Sequence, residues 1–176
     1  MPESVASPPT PRRWLLPVII AMASTIGGGV VGAVVVSSGD DGPTRQETVA
    51  DRGASVMPFD LSATTHVFDA TDDGGIQTVI VDDPTDRDQI TLIRSHLREE
   101  VERFRVGDFG DPATIHGHDM PGLSVLEAKP EALEISYREL RAGAEVTYRS
   151  DDPSVIAALH DWFAAQLSDH GSDAHD

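Results

Sequence analysis

Seven histidines, at positions 66, 96, 116, 118, 160, 170 and 175, are the residues of this sequence best suited to chemistry. The densest group is His116-Gly117-His118-Asp119-Met120, closed by Pro121-Gly122, inside the turn-rich segment 107–130. In extended backbone, residues two apart project to the same side, so His116 and His118 are expected to reach one ion together. Imidazole suits zinc, copper and nickel, and the thioether of Met120 would draw such a site toward copper, notably Cu(I). A solvated loop holding no ligand is the plainer reading of the same residues.

The elements that must carry the histidines come from an internal repeat. One copy has strands at 65–70 and 76–81 about the turn Asp72-Asp73-Gly74-Gly75, then Asp82-Asp83-Pro84 and a helix. The other has strands at 133–140 and 144–149 about Arg141-Ala142-Gly143, then Asp151-Asp152-Pro153 and a helix. Ile90, Ile93, Leu97 and Val101 match Ile156, Leu159, Phe163 and Leu167, each set forming one stripe of an amphipathic helix. Asp83 and Asp152 are expected N-caps with proline at the first helical position. The expected fold is α+β: a duplicated ββα unit giving a four-stranded antiparallel sheet with two helices on one face.

The repeat also places the other histidines. His66 aligns with Ile135 and should face the helices, His96 aligns with Trp162 at the border of a stripe, and His170 falls within the last stripe. Singly, each reads best as a hydrogen-bonded structural histidine. Jointly, His66, His96, His116 and His170 could converge on one site. Enzymatic constellations are thin: Glu99, Glu100 and Glu102 read as a solvated helix face with Arg98, Arg103 and Arg105 as partners. There is no GxSxG, P-loop, HExxH or dinucleotide fingerprint.

Residues 14–38 carry no charge over 25 positions. As helix that is roughly 37 Å, enough to cross a bilayer core of about 30 Å with some tilt. Arg12 and Arg13 precede it, so the positive-inside rule keeps residues 1–13 cytoplasmic and puts the rest outside. A cleaved signal peptide is the alternative, although this apolar run is longer than a usual h-region. Gly28 and Gly32 form one GxxxG, a spacing through which two such helices could pair as a homodimer. Residues 39–63 read as a flexible linker, 64–171 as the extracytoplasmic domain, and 172–176 as a loose tail.

The full chain has 176 residues, 13 basic against 30 acidic groups, a net charge of −17 and no cysteine. Beyond residue 38 the count is 11 basic and 29 acidic, so the acidity belongs to the exported part. Nucleic acid is thereby an unlikely partner, because phosphate binding needs a basic footprint. The missing cysteines exclude disulfides, Cys-ligated metal and thiol catalysis.

The passages VMPFDLSATTHVF, DDPTDRDQITLIRSHL, RVGDFGDPATIHGHDMPGL and ALHDWFAAQLSDHG resemble a family of small exported or membrane-anchored actinobacterial proteins. The likeness covers roughly two-thirds of the chain, from Val56 to His175, and twelve arginines to one lysine fit such an origin. Members often carry the automatic name aspartate carbamoyltransferase. That name implies a cytosolic two-domain enzyme holding carbamoyl phosphate through a Ser-Thr-Arg-Thr type loop. Here the one Ser-Thr pair, Ser24-Thr25, lies inside the apolar run.

The leading expectation is a membrane-anchored, single-pass extracytoplasmic binding protein that holds a transition metal, copper or zinc, or a haem-like ligand. Its ligands would be His116 and His118, with His66, His96, His170 and Met120 completing the set. The alternatives are a structural or interaction module facing an envelope protein, in one form a pH sensor, and an enzyme such as the transferase of the family name.

Overall fold

Two hairpins, each followed by a long helix, make the frame. The computed structural model describes residues 42–170 and 174–175. The expected span at 14–38 lies outside the described residues, among which no helix is long and apolar enough to cross a membrane.

Strands β1 (Thr64–Thr71) and β2 (Gly74–Val81) form one antiparallel hairpin, and β3 (Glu134–Leu140) and β4 (Gly143–Arg149) form the other. They join through antiparallel β2–β4 pairing, and a two-residue β5 (Ala174–His175) adds parallel to β1. The order is β3-β4-β2-β1-β5. Register puts His66, Val79 and Ala144 side by side, and Phe68, Gln77, Val146 and Tyr137 in the next row. On β1 the buried residues Thr64, His66 and Phe68 alternate with less buried neighbours, the period of a half-covered sheet.

Helices α2 (Arg87–Phe104) and α5 (Pro153–His170) pack on these rows. Their inner residues meet in an aromatic cluster. Phe163 lies edge-on to Phe68 and Tyr148, while Trp162 lies edge-on to Tyr148, Phe104 and Phe109. Asp152 caps the start of α5 as expected, accepting from the Ser154 N–H at 2.8 Å. The start of α2 is different: Asp86 is the N-cap, and Asp83 instead holds the preceding turn through Thr85. The intervening Pro84-Thr85 turn delays helix entry by one acidic residue.

Two further expectations change. Segment 39–63, expected to be a flexible linker, carries α1 (Arg45–Val56) and a 3-10 turn at Leu61–Ala63. Thr44 and Glu47 close a reciprocal capping box at the start of α1, and its buried face, Val49 and Gly53, is covered by the body of the protein. Segment 107–130, expected to be an extended loop, contains α3 (Gly110–His116) and α4 (Leu123–Ala128). Their apolar residues Ala113, Ile115, Leu123 and Leu126 are buried, and that burial stabilises turns too short to persist alone.

Gly122, at the entry to α4, has φ +79° and lies against α5. A Cβ there would come within 2.0 Å of the Ala158 carbonyl oxygen. Gly122→Ala is therefore expected to lower stability by about 2 kcal/mol or more, combining left-handed strain with backbone collision. Urea denaturation checks this, and an unchanged midpoint would refute it.

Candidate histidine cavity

Four elements each contribute one histidine to a single pocket. His66 comes from β1, His96 from α2, His116 from the end of α3 and His170 from the end of α5. The alternation of β1 turns His66 inward beside Phe68, and His96 shares the buried face of α2 with Leu97 and Ile93. The cavity measures about 40 Å³, counted as room for the centre of a water molecule. One such water needs roughly 10–15 Å³, so the space suits an ion with a few waters. Beyond His66 and His170, which border both spaces, a larger hollow of about 240 Å³ lies against α1.

His170 stands in the middle of the group. Its ring centroid is 5.4 Å from that of His66 and 5.2 Å from that of His116. Phe59 packs against two of the histidines, its ring lying 6.0 Å from His66 and 5.7 Å from His96. Imidazoles bound at about 2.0–2.1 Å to one tetrahedral ion have centroids roughly 5 Å apart. The two spacings around His170 are of that size, while no such ring contact joins His66 to His116, so closing all three on one ion needs a shift of their side chains.

His116 is the best oriented of the set. Its Nδ1 is 2.9 Å from Asp169 Oδ2, with both side chains buried, and Asp169 also accepts from Arg45 Nη2 at 2.7 Å. Burial works to raise the Asp169 pKa, but the hydrogen bonds from Arg45 and His116 outweigh it and hold the carboxyl below its usual range. Burial holds the His116 pKa down as well, even against Asp169. The neutral ring therefore donates its Nδ1 proton to Asp169 and keeps a lone pair on Nε2, the arrangement that outer carboxylates impose on ligating histidines.

Burial also keeps His66 and His96 neutral. The His66 pKa is lowered to about 3 by burial and by the nearby His170 and His96. That of His96 is lowered by burial, and Asp111 and Glu99 offset part of the effect. Thr64 Oγ1 lies 3.4 Å from His66 Nε2.

No family model, curated protein or solved structure matches this chain. What the site can do rests on its own geometry.

His118 and Met120 do not join the cavity. His116 ends a helix, and Gly117 then turns the chain at φ +100°, so the two histidines lack the common side that extended backbone would give them. His118 is exposed, while Met120 packs in the apolar core. His160 also serves elsewhere. Its Nε2 lies 2.9 Å from the Thr71 carbonyl and 3.1 Å from that of Gly74, pinning the β1–β2 turn to α5.

Glu100, expected on a solvated face, is buried and borders the cavity with Gln77, Trp162 and Gln166. It lies seven residues after Ile93 and three after Leu97, so the apolar stripe itself marks it as inward-facing. Burial, with Asp111 adding to it, raises the Glu100 pKa to about 8, against the opposing charge of Arg103. Trp162 Nε1 and Gln166 Oε1 are buried without a hydrogen-bond partner among the described residues.

His66 and Glu100 act on stability in opposite senses. The folded His66 pKa of about 3 lies below its ordinary 6.5, so the unfolded chain protonates first and stability falls as pH drops below about 6.5. The folded Glu100 pKa of about 8 lies above its ordinary 4.5, so stability falls as pH rises from about 4.5 toward 8. From about pH 4.5 to 6.5 the two effects oppose each other, so chelator-treated protein is expected to be most stable there, and Glu100→Gln should flatten the alkaline limb. Denaturation midpoints measured from pH 4 to 9 test this; an identical alkaline slope in the variant would refute it.

Proposed function

We propose that the chain is a membrane-anchored extracytoplasmic binding protein that holds a transition-metal ion in the histidine cavity. One observation carries the reading: four histidines distant in sequence, from four different elements, line one pocket. His66, His116 and His170 are the ligands proposed for the ion. Supporting this set are the ring spacings around His170, the Asp169 contact that orients His116, and the neutrality that imidazole needs to ligate.

All-nitrogen ligation favours copper(II) or zinc. The case for Cu(I) weakens, because the Met120 thioether packs in the core away from the cavity lining. About 40 Å³ also suits an ion better than a macrocycle such as haem. Anchoring rests on the uncharged run at 14–38 with Arg12 and Arg13 before it. The acidity of the exported part would repel an anionic envelope and attract cations over the screening length.

The untagged full chain in detergent, titrated with Cu²⁺ at pH 7.5, is expected to bind one ion per chain at the trio. His116→Ala and His66→Ala should each weaken binding about tenfold or more, whereas His118→Ala should leave it unchanged. Calorimetry and metal analysis give the readout. No binding by the native chain, or equal loss in His118→Ala, would refute the assignment.

A further inference from the structure

We propose that His96, Glu100 and Asp111 form a second seat, for a divalent cation, on the α2–α3 side of the cavity. One ligand atom from each of the three residues can be chosen so that all lie within 4.8 Å of one another. His96 and Glu100 stand four apart on α2 and so share one face, while Asp111 comes from the first turn of α3. One imidazole with two carboxylates is a donor set for manganese, iron(II) or zinc, harder than the histidine trio.

Arg103 backs this group without filling it. Its Nη1 reaches Glu100 Oε1 at 3.1 Å and Asp111 Oδ2 at 2.8 Å, and the two carboxyl groups also hydrogen-bond each other, so they share one proton that a bound cation would displace. A guanidinium in that place orients first-sphere carboxylates in the way outer hydrogen-bond donors do elsewhere. It also carries two more contacts to Asp108, so its position is fixed independently of any ion.

A second observation comes from α5. Gln166 is 5% exposed and Trp162 1%, yet Gln166 Oε1 and Trp162 Nε1 have no hydrogen-bond partner among the described residues. Both residues border the cavity that His96 and Glu100 line. Buried donors and acceptors of this kind are normally satisfied, and the remaining waters of a bound ion supply both senses of hydrogen bond. The seat goes beyond the histidine trio, because Glu100 and Asp111 take no part in that site.

The test uses the untagged full chain in detergent with Mn²⁺, which discriminates in favour of oxygen ligands, and Cu²⁺ in parallel. Loss of the free Mn²⁺ spin-resonance signal, backed by calorimetry, is expected for the native chain. Glu100→Gln and Asp111→Asn should each weaken Mn²⁺ binding about tenfold or more while keeping Cu²⁺ binding. His66→Ala should do the reverse. Asp111 has a partly exposed side chain, so Asp111→Asn remains informative if Glu100→Gln fails to fold, as thermal melts will show. No Mn²⁺ binding by the native chain, or full binding by folded Asp111→Asn, overturns the second seat. Loss of Cu²⁺ binding alone would count only against the trio.

Discussion

One carboxylate at the end of α5 ties three helices together. Asp169 is buried, and burial of an unpaired charge would be severely unfavourable. It is tolerated because Arg45 of α1 and His116 of α3 both donate to it. Arg45 also donates to the His116 carbonyl, and Arg52, two turns later on α1, reaches that of Ile115. The end of α3, which is too short to hold itself, is thereby fixed from two sides. The orientation of the His116 ring and the docking of α1 both follow from this one ionised group.

The frame of the molecule was legible because it rests on short-range pattern. Alternation in Thr64–Thr71 and the stripe from Ile90 to Val101 name a half-buried strand and an amphipathic helix without tertiary knowledge. Segment 107–130 was not legible, because α3 and α4 span only seven and six residues and depend on contacts with distant parts of the chain. The start of α1 did carry a readable signal, Thr44-x-x-Glu47, which was outweighed by the polar composition around it.

The candidate site divides along the same line. Aligning the two ββα copies turns His66 inward and puts His96 at the border of its stripe, the period of the last helix adds His170, and the loop supplies His116; all four line one pocket. His116 and His118 lack the common side of an extended segment for a local reason: the backbone at Gly117 is a helix terminus rather than a strand. Asp169 and Asp111 escaped notice because their partners, Arg45 and Arg103, are set by how helices dock, which spacing does not encode. Glu100 was within reach, since the helical period places it among Ile93 and Leu97. Its charge argued for the surface, and the low-dielectric interior changed its protonation instead.

The sheet order has a consequence for how this protein behaves among copies of itself. Strand β3 forms one edge, and on the other side β5 covers only the His66–Val67 part of β1. Exposed edges are templates for pairing with another chain. Strand β3 answers with Glu134, Arg138 and Glu139, and Arg138 and Glu139 are tied sideways into ion pairs with Glu145 and Arg98. An incoming strand would have to desolvate and disrupt those pairs before gaining a single ladder bond. The charges that crowd this acidic domain thus also guard it against edge-to-edge aggregation along β3.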